Sequence, residues 1–416
     1  MALSHSPKIV TDSLVFMYDT DDGKSYKGEP TVNLATDSPS QGGWAGGREV
    51  LDSSRKKFRF IVNNFNASAG SGQGWRSFTW DLNSYSGQSI TISATVEVPS
   101  ASPGTFAWVM MGQTNTHTSN NSGAAQYMGY SAASERVQKT TTTTEHITWT
   151  GTVGSTGTAS QPSGHVGFTL WYNGGTIGVD SYVEVSNVQV EINSHATQFV
   201  NGTRSATQGL LDRTGTSTID ISNVSFDSNA QMAFDGTDDY LSLGSNSTLQ
   251  AIGSNATIEC WFKSSSTVGS KFALMVGWGQ GTSYYSNFGI GNWFSAWSDE
   301  SIYVGVNSAA VVYAERDGSA KYHDGNWHHA VALIGQNNHK IFVDGSEVPV
   351  SFAYGSDSVS TSNIFGFSSG TEVYIGLRPY GNGHFQGDLP VVKIYDRLLT
   401  ATEVLQNYNA TKGRFS

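Results

Sequence analysis

Short apolar runs rich in Val, Ile, Phe, Tyr and Trp recur along this chain, each bounded by a stretch of Ser, Thr, Asn and Gly. β-branched and aromatic side chains suit a pleated, half-buried surface, and polar punctuation supplies the bends, so the pattern predicts many short strands joined by loops. The 47 glycines against 9 prolines add many tight turns. At 416 residues the chain is too long for one ordinary core and long enough for two or three. The expected fold class is all-β: two antiparallel β-sandwiches of jelly-roll type and one short C-terminal helix.

Along the chain, "IVTDSLVFMYDTDDGKSY" opens with a strand at residues 14–18. From residue 33 to 192 the strand candidates are "KFRFIV", "SITISATVEV", "TFAWVMMG", "HITWTGTV", "HVGFTLWY" and "YVEVSNVQVEI", with "KTTTTTEH" as a loop or edge strand. "NSHATQFVNGTRSA" reads as a connector. A second β region, from about residue 219 to 398, holds "AQMAFDGTDDYLSLG", "ATIECWF", "KFALMVGW", "SIYVGV", "WHHAVALI", "KIFVDGSEVPV", "EVYIGL" and "LPVVKIYDRLL". Asp344-Gly345 predicts a hairpin, since both central residues of a type I′ turn need positive φ. In "TATEVLQNYNA", Thr400 and Glu403 form a capping box that starts a helix.

The balance of 23 basic and 34 acidic residues gives a net charge of −11. Such a chain repels phosphate backbones, so nucleic acid is not expected as a partner. The one basic knot, "SRKKFRF" with Arg55, Lys56, Lys57 and Arg59, is expected to be a solvated strand edge. Cys260 is the only cysteine, which excludes an intramolecular disulfide; alternation in "ATIECWF" groups it with Ile258 and Phe262 as a buried thiol. The N-terminus lacks a signal-peptide core, and no run approaches ~18 apolar residues, so neither secretion nor a membrane span is expected.

"HDGNWHHAVAL" concentrates three histidines beside an aspartate and a tryptophan. On a strand, Trp327, His329, Val331 and Leu333 share one face, and His328, Ala330, Ala332 and Ile334 the other. Adjacent His328 and His329 therefore point apart and cannot chelate one ion, which favours structural over catalytic roles.

This stretch, continued as "HDGNWHHAVALIGQNNHKIFVDGSEV", resembles the signature hairpins of laminin-G-like jelly rolls in the concanavalin A-like lectin/glucanase superfamily. "MAFDGTDDYLSLG" resembles the first strong strand of that domain, "NGHFQGDLPVVKIYDRLLTATEVLQNYNA" its closing strand and helix, and "LVFMYDTDDGKSY" its opening strand. The resemblance implies one discontinuous sandwich from residues 1–34 and 196–416, its first strand pairing near "PVVKIYD". It leaves residues 35–195 as an inserted domain. That insert is similar at its ends, "NLATDSPSQGGWAGG" and "YVEVSNVQVEI", to carbohydrate-binding jelly-roll modules. Where such modules often carry a calcium-binding Asp, this chain has Ser186 and Asn187. With "HATQFVNGTRSA" and "YNATKGRF", the combination resembles virion structural proteins of tailed marine bacteriophages, including cyanophages. The resemblance implies a fibre, capsid-decorating or neck or tail accessory protein, made in the host bacterial cytoplasm and residing in the virion. Its implied partners are other virion proteins, further copies of itself and host cell-surface glycans.

Three functional readings follow. A glucanase-type depolymerase would need two carboxylates about 5 Å apart, alternating along one strand. No such pattern is present: Glu184 and Glu191 are seven apart and would face opposite ways on a regular strand, while Asp235, Asp238 and Asp239 beside Gly236 are turn formers. There is also no nucleophile elbow and no phosphate-cradling loop, so the chain is expected not to be an enzyme. Sugar binding requires exposed rings with polar neighbours. The candidates are Tyr284, Tyr285, Trp293 and Trp297 in "GWGQGTSYYSNFGIGNWFSAW", Tyr380 and His384 in "RPYGNGHF", and Trp44, Trp75 and Trp80 in the insert. Asp238 and Asp239 could hold a calcium ion, as related lectins do, although no cofactor is required. The third reading is purely architectural. Few residues precede the first strand and neither heptads nor repeats occur, so attachment is expected through a folded face or a short tail.

Overall fold

The structure is a computed structural model. It describes residues 8–43, 46–62, 73–98, 106–114, 136–139, 143–153, 164–173, 181–226, 232–264, 273–279, 286–290, 302–306, 310–314, 322, 324–335, 337–354, 371–377 and 383–415. The chain is mostly β, and it divides into two compact units: residues up to Pro30 together with those from Ser205 onward, and Thr31–Arg204 between them.

The first unit is a sandwich of two antiparallel sheets. One runs in the order Leu14–Asp19, Gln386–Tyr395, Ala256–Lys263, Trp327–Ile334, Lys340–Val343, Ser346–Val348, with Phe234–Asp235 also on Gln386–Tyr395. Met17 pairs with Lys393 and Tyr18 with Val392, so strands from the two ends of the chain lie side by side. The other sheet runs Asp220–Asn223, Tyr240–Gly244, Glu372–Ile375, Ala273–Gly279, Ser286–Ile290, Ile302–Val306, Ala310–Ala314, Val350–Tyr354. Alternation fills the space between them: Phe16, Tyr18, Ile258, Cys260, Phe262, Val276, Trp278, Phe288 and Ile394 belong to one buried cluster. Ser286–Ile290 lies inside "GWGQGTSYYSNFGIGNWFSAW", which the sequence singles out for its rings and not as a strand. Its residues are Gly- and Ser-flanked, and only pairing with strands on both sides reveals it as a strand.

The outer face of the first sheet is covered by the helix Ala401–Thr411. Val404 and Leu399 pack with Val331, Leu333, Phe342 and Tyr395 in a second small core. The expected capping box is present: Thr400 Oγ1 accepts from Glu403 N, and the Glu403 carboxylate accepts from Thr400 N at 2.8 Å. Arg397 grips the same carboxylate through two nitrogens and brings its pKa down to about 2. Two one-turn helices, Ala206–Gly209 and Ser247–Gln250, are too short to show helical periodicity in sequence. Asp344 and Gly345 both have positive φ at the hairpin between Lys340–Val343 and Ser346–Val348.

The second unit has two five-stranded antiparallel sheets. One is ordered Thr143–Thr152, Ser89–Val98, Ser181–Glu191, Lys57–Val62, Gly46–Asp52, and the other Ser40–Gly43, Gln73–Asp81, His165–Asn173, Phe106–Thr114, Arg136–Lys139. Phe58, Phe60, Phe78, Trp80, Ile92, Val96, Phe168, Val185 and Val190 share its core, with Phe60 and Phe78 stacked at 3.9 Å between centroids. The basic knot is not a sheet edge. Its strand has partners on both sides, Lys57 and Arg59 pair with Glu184 at 2.7 and 2.6 Å, and Lys56 pairs with Asp37 at 2.9 Å. The sequence does not show this locally, because one of the two flanking strands, with Glu184 on it, lies more than a hundred residues along the chain. "KTTTTTEH" leads into Thr143–Thr152, which ends the sheet order.

No helix among the described residues is long and apolar enough to cross a membrane.

Candidate functional site

The two adjacent histidines point apart and each finds carboxylates. His329 is buried beneath the C-terminal helix, with Nε2 3.0 Å from Glu259 Oε1. Glu259 also takes Lys393 Nζ at 2.5 Å and Asn407 Nδ2 at 2.6 Å. Burial alone would raise the Glu259 pKa, but Lys393 and His329 outweigh it and hold the carboxyl well below its ordinary value. Asn407 also donates to Tyr395 Oη and accepts from Val10 N, so the network ties the helix to the sheet. On the opposite face, His328 lies between Asp344 Oδ2 at 3.0 Å and Asp324 Oδ1 at 3.3 Å. Burial opposes its charge, yet Asp344 and then Asp324 raise its pKa above the ordinary imidazole value. Both histidines thus fasten loops and helix to strand ends.

At one end of the first sandwich, oxygen atoms of Asp235, Asp238 and Asp239 all lie within 4.8 Å of one another. Asp239 is buried, and its carboxylate is engaged by Ser225 N, Ser225 Oγ and Asp235 N at 3.0–3.1 Å. Its pKa is raised, chiefly by burial. Asp235 Oδ1 accepts from Thr237 N and Asp238 N, which holds the turn and lowers its pKa. The donor set is of the hard-oxygen kind that calcium takes. Asp239 and one oxygen of Asp235 are engaged by the turn itself, so the other Asp235 oxygen and Asp238, both on exposed residues, are what such an ion would draw on. His384 belongs to the same neighbourhood: it bridges Leu377, and Gln386, two residues on, pairs with Asp235. It is half-buried, and its Nδ1 has no hydrogen-bond partner among the described residues.

The aromatic candidates fare differently. Trp80 is a correction: it is buried, packs against Phe58 and Phe168, and donates from Nε1 to Thr36 O at 3.0 Å. A sandwich core needs large rings, and that demand takes Trp80. Trp75 lies in strand Gln73–Asp81 in register with Trp171, and its side chain is outside the described residues. Trp44, Tyr284, Tyr285, Trp293, Trp297 and Tyr380 also lie outside them.

A second correction concerns Glu184 and Glu191. A bulge with Asn187 at φ 52° shifts the register between Ser186 and Gln189, so both glutamates lie opposite the core-facing valines and share one face. They pair across with Glu97 and Thr91, six residues apart on the neighbouring strand, a span of roughly 20 Å. That is too far for a catalytic pair. Glu184 is held by Lys57 and Arg59; Glu191 accepts from Gln189 Nε2, Thr197 N, Thr197 Oγ1 and Thr31 Oγ1.

The sequence reading overlooked one aromatic group. In Tyr240–Gly244, Leu241 and Leu243 enter the core and Tyr240 and Ser242 stay half-buried on the other face. In Glu372–Ile375, Val373 and Ile375 are core, while Glu372 is exposed and Tyr374 half-buried. Ser242 pairs with Tyr374, and the two tyrosine rings meet edge to face, 5.5 Å between centroids at 78°. Tyr374 Oη donates to Glu372 Oε2. Alternation in "DYLSLG" and "EVYIGL" was the available signal for facing. Their adjacency was not, since more than a hundred residues separate them.

Residues 235–405 match the family model described as the concanavalin A-like lectin/glucanases superfamily. Among solved structures, the chain is similar to the sialidase of Trypanosoma rangeli, at 13% identity over 50% of this chain and 31% of that one, with a TM-score of 0.36. It is also similar to domain 4 of AbnA, an extracellular arabinanase from Geobacillus stearothermophilus solved with arabinotriose. There the identity is 14% over 49% of this chain and 93% of the other, TM-score 0.33. A third likeness is to the binding domain of Paraclostridial Mosquitocidal Protein 1, at 11% identity, 47% and 48% coverage and a TM-score of 0.31. The matched part spans about a third of the sialidase's length (31%). No curated protein matches the chain in sequence. Residues 235–405 are a concanavalin A-like lectin/glucanase domain, and Thr31–Arg204 form a second β-sandwich.

Proposed function

We propose that the chain is a non-enzymatic virion structural protein of a tailed bacteriophage, a fibre, capsid-decorating or neck or tail accessory part, displaying carbohydrate-binding surfaces for host attachment. The observation that carries glycan binding is the concanavalin A-like domain at residues 235–405. The virion reading is supported by the resemblance of the connectors "HATQFVNGTRSA" and "YNATKGRF" to phage structural proteins. The non-enzymatic reading is supported by how the carboxylates weighed as an acid pair, and the buried Glu259, are used. Glu259 is paired with Lys393 and His329 out of solvent, Asp235 and Asp239 beside Asp238 accept the amides of their own turn, and Glu184 and Glu191 are far apart and each fully engaged. No cofactor is needed for this reading; a calcium ion would draw on Asp235 and Asp238 beside Asp239. Weak sugar contacts multiplied by copy number would supply the attachment strength.

The test pairs a glycan array with a reducing-end release assay on the purified full chain, each with and without calcium, and mass spectrometry of purified particles. Binding to a set of glycans without release of reducing ends, and recovery of the chain from particles, is the expected outcome. Turnover of any polysaccharide would replace this reading with a depolymerase. Recovery from particles with no glycan bound would leave a purely architectural part.

A further inference from the structure

The solvent side of the eight-stranded sheet gathers polar and aromatic groups from three neighbouring strands. Asp220 pairs with Ser242 and Asn223 with Tyr240 on one flank, while Ser242 pairs with Tyr374 on the other. Beyond Tyr374 and Glu372 the next strand places Gly277 and Gly279, so it contributes no side chain at either position. The two rings are braced against each other, and the Tyr374 hydroxyl is fixed on Glu372. A site already held in one arrangement loses little entropy on binding.

We infer that Tyr240, Ser242, Glu372 and Tyr374, with Asp220 at the edge, form a binding site for a neutral pyranose unit of a glycan. The tyrosine rings offer apolar faces to sugar C–H groups and the carboxylates accept sugar hydroxyls, the usual division of labour in a small polar site. Two carboxylates at the patch, on a chain of net charge −11, repel uronates, sulfates and sialates, so the class is uncharged. This inference rests on the glycan-binding reading above and assigns that binding to particular residues.

The experiment is isothermal titration of the full chain with neutral hexasaccharides of glucose, mannose, galactose and xylose, and with hexagalacturonate as the anionic probe. The variants are Tyr374→Ala, Tyr240→Ala and Glu372→Gln, each checked for an unchanged melting temperature. Glu372 is exposed, so its replacement tests the site even where a tyrosine variant unfolds. Binding of a neutral hexasaccharide, weakened about tenfold by either tyrosine substitution and severalfold by Glu372→Gln, is the result expected for loss of one aromatic or polar contact. Neutral binding untouched by all three variants would overturn this site and leave the glycan-binding reading standing, as would binding of the anionic probe alone. Failure to bind any hexasaccharide or any array glycan would overturn both.

Discussion

Glu259 and Lys393 are both buried, and the ion pair between them is surrounded rather than solvated. A buried pair is weak evidence of stability in itself, but breaking it leaves an uncompensated charge. Lys393→Met is therefore expected to cost ~3–5 kcal/mol of unfolding free energy, read from urea titrations. The double variant Glu259→Leu/Lys393→Met should recover part of that loss, because no lone charge remains inside. Equal or additive losses in the double variant would mean that the pair contributes net stability of its own. Trp80 is a large ring in a packed core, and Trp80→Ala should lower stability by ~3–5 kcal/mol. These roles were only half legible beforehand. Alternation says which face a residue takes, as it did for His328 and His329, but says nothing about a partner seventy residues away.

At the scale of the element, His328 joins the loop carrying Asp324 to the hairpin carrying Asp344, whose Oδ1 also accepts from His329 N at 2.8 Å. Phe262 and Tyr322 are its ring neighbours, so the carboxylates are the charged groups facing it among the described residues. Its pKa is raised in the folded state, so the folded chain holds the proton more tightly than the unfolded one. The stabilisation is complete below the ordinary imidazole value of about 6.5 and is lost as pH rises through the higher folded value. Melting temperature should accordingly fall across that interval, and His328→Gln should flatten the profile. An unchanged slope in the variant would assign the effect elsewhere. Elements with a strong local signal were readable in the sequence: the Asp344-Gly345 hairpin needs positive φ twice, and the Thr400–Glu403 box satisfies two amides reciprocally. Ser286–Ile290 and the bulge at Asn187 were not, because each depends on which strand lies alongside.

For the whole molecule, the two cores are separate sets of residues, each enclosed by its own sheets. The chain enters and leaves the second unit through a two-rung ladder in which Val32 pairs with Thr203 and Thr31 with Arg204. Paired antiparallel residues stand about 5 Å apart, so a short Gly-Ser linker can replace residues 31–204. The shortened chain should unfold in one cooperative calorimetric transition, and Thr31–Arg204 expressed alone should give another. Loss of cooperativity in either piece would mean that the units need each other to fold. Cys260 sits at the centre of the first unit with Sγ 3.2 Å from Met275 Sδ, and it is the only thiol in the chain. A thiol-reactive dye is consequently an intrinsic clock for that unit: its uptake rate counts openings of one sandwich and is blind to the other.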